Sequence, residues 1–80
     1  MFYVYAIKSI HRSYIYVGLT DNFERRFHQH QSGQNRTTKP YAPFIILHFE
    51  ELPTRPEARS REIYLKSGSG KEFLKSLLNK

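Results

Sequence analysis

Apolar positions at the start of the chain recur at the short period of a strand. Residues 2–8, Phe2-Tyr3-Val4-Tyr5-Ala6-Ile7-Lys8, are rich in aromatic and branched side chains. Residues 14–19, Tyr14-Ile15-Tyr16-Val17-Gly18-Leu19, repeat the pattern. The polar link His11-Arg12-Ser13 between them predicts an antiparallel hairpin. Side chains alternate on strands, so Tyr3 and Tyr5 share one face, and Tyr14 and Tyr16 another. The hairpin register decides whether Tyr5 and Tyr16 stand on the same side.

The period then lengthens. Asp21 with Glu24 three residues on makes a capping box, Phe23 and Phe27 give an apolar stripe, and Gly33 is a stop signal. Residues 33–42 hold Gly, Asn, two Thr and Pro and predict an exposed loop. Phe44-Ile45-Ile46-Leu47-His48-Phe49 predicts a third strand, apolar enough to be central. Thr54 with Glu57 opens a second helix, with Pro56 in its first turn, running to about Ser67 where Gly68 ends it. Ser69 and Glu72 open a last helix carrying Phe73, Leu74, Leu77 and Leu78. The order β-β-α-β-α-α predicts an α+β fold, three strands with helices packed on them.

The chain has 80 residues, which suits one domain over 1–80. At 39% apolar, with six Phe and six Tyr, it can fill one core but not two. Without Cys, neither a disulfide nor a thiolate zinc site can staple it. No apolar run approaches the roughly 18 residues of a membrane span. The start, Met1-Phe2-Tyr3-Val4-Tyr5, lacks the features of a signal peptide. The expected setting is the reduced cytoplasm, with no membrane partner. The net charge of +6 favours a polyanionic partner, nucleic acid being the commonest, but equally suits a merely solvated basic surface.

Position sorts the seven acids. Asp21, Glu24, Glu57 and Glu72 belong to predicted helix starts, where the macrodipole favours them. Glu50 and Glu51 end the third strand and are expected to be exposed. Glu62 remains, in mid-helix on the stripe of Ala58 and Leu65, which normally faces a core. A carboxylate there needs a partner or a task. An ion pair with neighbouring Arg59 or Lys66 is the ordinary answer. Holding Mg²⁺ with waters and a substrate phosphate is the sharper one. Arg26 and His30, one turn apart, form either a solvated basic face or a phosphate clamp. His28 and His30 are two apart and fall on different helix faces, so they are not a zinc pair. The strand tyrosines can equally be packing residues.

Tyr3-Val4-Tyr5, then Tyr16-Val17-Gly18 eleven residues after Tyr5, resembles the paired signatures of the GIY-YIG nuclease superfamily, which includes homing endonucleases. Arg26, ten residues after Tyr16, and His30 match its helix arginine and a histidine of part of the family. Arg61-Glu62 before Tyr64-Leu65-Lys66-Ser67-Gly68 resembles the helix bearing its metal-binding glutamate. The small stand-alone bacterial type is the nearest likeness. Tyr3 stands for the Gly of the first signature and Val17 for the middle Ile of the second. Leu19 stands where some relatives carry a lysine. The family's late asparagine has no match, Asn79 being close to the terminus.

The resemblance implies a three-stranded antiparallel sheet flanked by helices, and metal-dependent hydrolysis of phosphodiester bonds in DNA, in repair or recombination. It implies that Glu62 holds one Mg²⁺ or Mn²⁺ ion and that Arg26 neutralises phosphate charge. Tyr16 would act as general base or position the attacking water, Tyr5 would orient the site, and His30 would be an auxiliary donor or base. DNA is the expected partner, with Arg25, Arg36, Lys39, Arg55 and Arg59 as candidate backbone contacts. Targeting would need this basic surface, a protein partner or a homodimer. The competing reading is a nucleic-acid-binding module that keeps the nuclease fold without catalysis.

Overall fold

The computed structural model describes residues 1–78. Strands β1 (Phe2–Ser9) and β2 (Ile15–Thr20) form the hairpin, followed by helix α1 (Phe23–Gln31). A short 3₁₀ turn (Lys39–Tyr41) leads into β3 (Phe44–Leu52), α2 (Arg55–Lys66) and α3 (Gly68–Leu78). The fold is α+β, a three-stranded antiparallel sheet flanked by helices in the order β-β-α-β-α-α.

The strand order is β2-β1-β3, so β1 is central and β3 an edge. This corrects the expectation that the apolar third strand lies in the middle. Ile45, Ile46 and Phe49 on β3 remain about half exposed, at 49%, 50% and 44%. The continuously buried strand is β1, where Val4 to Ile7 are covered on both faces. An apolar run shows what a strand can bury; it does not show which strands will flank it.

Register settles the tyrosines. Tyr5 pairs with Gly18 and Ile7 with Tyr16, so Tyr5 and Tyr16 share a face. On that face Tyr5, Ile7 and Phe44 form one core with Tyr14, Tyr16 and the α1 residues Phe23 and Phe27. On the opposite face Val4, Ala6 and Val17 pack against Ala58 and Leu65 of α2 and Leu74 of α3. The sheet therefore separates α1 from the α2–α3 pair. A bulge between Ala6 and Ile7 leaves Leu47 as the extra residue on β3.

Two of the three helix starts differ in detail from expectation. Asn22, not Asp21, caps α1, its side chain accepting from the Arg25 N–H at 3.1 Å. Thr54 caps α2 as expected. The last helix begins at Gly68 rather than Ser69, and Ser67 Oγ accepts the Gly70 N–H at 3.2 Å. The turn between α2 and α3 is tight enough that a Cβ on Gly70 would lie 2.5 Å from the Leu65 Cα.

Glu50 is not exposed as expected. Arg61 donates to both of its oxygens, at 2.7 and 2.8 Å, and His48 Nε2 lies 2.7 Å away. The Arg61 hydrogen bond, with help from His48, holds the Glu50 carboxyl below the usual carboxylate range. This cluster clamps α2 to the edge strand. Glu51 is exposed, as expected.

Candidate functional site

The site grows from the Tyr5–Gly18 pair. With no side chain at Gly18, the Tyr5 ring lies across β2; a Cβ there would come within 2.6 Å of Tyr5 Cζ and 3.0 Å of Tyr16 Cε2. Tyr5 is 1% exposed, with Phe23 edge-on at 5.3 Å and the Tyr16 ring at 6.3 Å between centroids. From α1, His30 closes the group, its ring 5.8 Å from Tyr5 and 5.0 Å from Tyr16.

His30 is fully buried, not part of a solvated basic face. Its Nε2 lies 2.9 Å from Tyr5 Oη, and its Nδ1 lies 2.9 Å from Thr38 Oγ1. Thr38 donates its hydroxyl hydrogen to the Asn35 carbonyl at 3.5 Å. Its oxygen therefore accepts from Nδ1–H, which leaves Nε2 to accept the Tyr5 proton. Thr38 was not a candidate residue. It sits in the polar stretch 33–42, expected to be exposed, yet is 0% exposed. Nothing in a polar loop singles out one buried threonine.

Burial, with the neighbouring Arg26 charge, pushes the His30 pKa down to about 4. Burial and Tyr16 push Tyr5 up to about 12, against the pull of Arg26, with Glu62 adding a small push upward. Both shifts oppose moving the proton from Tyr5 to His30. The resting pair is neutral, with Tyr5 Oη donating to His30 Nε2.

Arg26 is half-buried beside Tyr5, and its Nη1 donates to Gln29 Oε1 at 3.0 Å. Among the described residues no carboxylate pairs with it. Glu62 comes from α2, is 8% exposed, and adds the weakest of the influences on the Tyr5 phenol. Arg59 Nη1 donates to Glu62 Oε1 at 2.6 Å and Lys66 Nζ to Oε2 at 3.2 Å. Burial raises the Glu62 pKa, but these two cations outweigh it and hold the carboxyl below its usual range. The ordinary ion pair is thus present, and with both neighbours at once.

The remaining candidate contacts are spread over three segments. Arg25 projects from α1, with Arg36 and Lys39 in the loop after it; Arg55 and Arg59 belong to α2, across the sheet. All five are exposed, although Arg59 is engaged with Glu62 and Arg55 lies 6.0 Å from the Phe2 ring centre. Asn79 lies outside the described residues. Among those described, no group of three His, Cys, Asp or Glu residues could hold a metal ion. No helix among them is long and apolar enough to cross a membrane.

Residues 1–75 match the family described as GIY-YIG catalytic domain. A UPF0213 protein of Clostridium perfringens is 33% identical over 81 residues, covering 100% of this chain and 86% of the relative. One from Staphylococcus haemolyticus is 33% identical over 76 residues, covering 94% and 92%. A solution structure of a UPF0213 protein from Bacillus halodurans superposes with a TM-score of 0.57 at 32% identity, covering 96% of this chain and 85% of that one. None of these three names states an activity.

Proposed function

From the premise that this chain belongs to the GIY-YIG family, we propose that it is a nucleic-acid-binding domain whose nuclease-type site grips a phosphodiester. The observation that carries this reading is Arg26. It is a half-buried guanidinium without a carboxylate partner among the described residues, set beside a neutral Tyr5–His30 pair. A phosphate oxygen would meet a planar cationic donor there and no competing anion. The one nearby acid, Glu62, is already neutralised on both oxygens. Arg25, Arg36 and Lys39, exposed on the same side as α1, would add backbone contacts without sequence choice.

A second reading, metal-dependent hydrolysis of DNA, is favoured by one further observation. Tyr16, Arg26 and, most weakly, Glu62 each act on the Tyr5 phenol, which supports reading the four family positions as one site. Glu62 offers the hard oxygen donor that Mg²⁺ or Mn²⁺ prefers, but alone, so the remaining ligands would be waters and substrate phosphate. Such an ion supplies Lewis-acid polarisation of the phosphate. In that reading Arg26 neutralises charge on the phosphoryl oxygens, Tyr16 positions the attacking water, and Tyr5 orients the site through His30.

Fluorescence anisotropy with labelled duplex, branched and single-stranded DNA in EDTA tests the first reading. Three to five phosphate contacts would lower affinity roughly 40- to 500-fold between 50 and 200 mM salt. A flat response would remove the proposal, and Arg26→Ala should weaken binding. A plasmid-nicking assay with Mg²⁺ or Mn²⁺ then separates the two readings. Hydrolysis requires metal-dependent nicking that Glu62→Ala abolishes and Arg26→Ala slows more than it weakens binding. Nicking that survives Glu62→Ala unchanged would rule the second reading out.

A further inference from the structure

On the face of the sheet opposite α1, the β1–β2 hairpin and α3 border a cavity of about 230 Å³. Val17, Leu65, Leu74 and Leu78 supply much of its lining, and no acid among the described residues lines it. Such a space suits an apolar guest, since water would find few polar partners there. Its volume corresponds to about seven groups the size of a water molecule. Three cations border the same space. Lys8 comes from β1, and Lys71 and Lys75 lie one turn apart on α3. Lys8 Nζ donates to the Ser9 and Arg12 carbonyls at 2.6 and 2.8 Å, which fixes it and leaves one N–H free. Like charges four residues apart on a helix oppose each other. Among the described residues no carboxylate pairs with any of the three.

We propose that this cavity binds a small anionic amphiphile, a free monocarboxylate with an unbranched apolar tail. The tail lies between α3 and the hairpin, and the carboxylate meets Lys71 and Lys75 at the rim with Lys8 beside them. A carbon-lined space with a few convergent polar groups is the usual form of a small-molecule site. The charge complementarity is one-sided, three cations and no anion, so the head group must be negative. A single carboxylate there relieves the repulsion between the two α3 lysines. A nucleic-acid backbone would satisfy the lysines but has no apolar body to fill the cavity. The volume sets the tail at about seven carbons, which makes octanoate the matching probe. The site lies across the sheet from Arg26 and stands apart from the nucleic-acid reading above.

Isothermal titration calorimetry of the whole chain with sodium octanoate tests this. One saturable site is expected. From hexanoate to octanoate the affinity should rise about fifteenfold, roughly fourfold for each buried methylene. Dodecanoate should gain far less than its four further methylenes would bring, because they no longer fit inside. Octylammonium, with the same tail and the opposite charge, should not bind. Lys71→Gln/Lys75→Gln should weaken octanoate about fivefold, as expected for losing two exposed ion pairs. Octanol, which has the tail without the charge, should bind that variant and the parent alike, which a misfolded variant would not allow. Lys71→Arg/Lys75→Arg should keep the parental affinity for octanoate. Octylammonium binding as tightly as octanoate overturns the charge selection and the proposal with it. So does an affinity that does not grow with tail length, which would mean surface ion pairing alone. A glutamine variant that holds octanoate as tightly as the parent removes the α3 lysines from the site. Binding to phosphatidylglycerol vesicles without any binding of free octanoate would make this a membrane-facing surface and overturn the proposal.

Discussion

Taking the protein from pH 7 to pH 4 is expected to remove on the order of 3 kcal/mol of stability through His30 alone. Unfolded, this histidine titrates near 6.5; folded, it resists protonation until about pH 4. Between those values the unfolded chain binds the extra proton and the folded one does not, so stability falls as the pH falls. The cause is geometric. The ring is fully buried, with Nδ1–H given to Thr38 and Nε2 accepting from Tyr5. A second ring proton would face the Tyr5 O–H and the Arg26 charge on a ring with no exposed surface. Glu50 and Glu62, whose carboxyls are held low, add their own loss only below about pH 4.5. Urea midpoints from pH 7 to 4.5 isolate the histidine. The parent should weaken steadily, and His30→Gln, though less stable at pH 7, should be nearly level. Parallel slopes would mean that His30 titrates normally.

The second large effect is expected from Gly18→Ala. Gly18 does not have a positive φ, so alanine suits its backbone and the obstacle is space alone. The new methyl would sit 2.6 Å from Tyr5 Cζ, in a ring that is 1% exposed and wedged between Phe23, Tyr16 and His30. Overpacking of this kind costs about 1–3 kcal/mol. The ring must also tilt away, which lengthens its bond to His30 Nε2. We expect a lower denaturation midpoint together with a shifted ¹⁵N resonance of Nε2, since that nitrogen loses its donor. Unchanged midpoint and resonance would show that Tyr5 does not lean on Gly18.

The outline of the fold was legible because its signals are local. Aromatic and branched runs marked the strands, Thr54 marked a helix start, and the Phe23–Phe27 spacing marked the stripe of α1. The resemblance added the antiparallel sheet and five candidate positions in α1, α2 and the hairpin. Glu62 stood out because a carboxylate on an apolar stripe requires an explanation. Pattern alone allowed an ion pair with Arg59 or Lys66, and the structure shows both.

Other features depend on partners far apart in the chain. The β3 run looks central because composition measures how apolar a strand is. Its neighbours are chosen by pairing, and β1 has both of its edges filled. Glu50 looked like a surface acid until α2 brought Arg61, eleven residues on, against it. Thr38 was invisible because its role comes from His30 on another element.

By itself the sequence determined the element order, the hairpin and the residue types available for chemistry, since these follow from periodicity, capping and spacing within a few residues. Only the tertiary structure decided that Tyr5 and Tyr16 share a face, that His30 is neutral and accepts from Tyr5, and that Glu62 is held by two cations. Register, burial and the local field arise when distant segments meet, and no short stretch of the chain contains them.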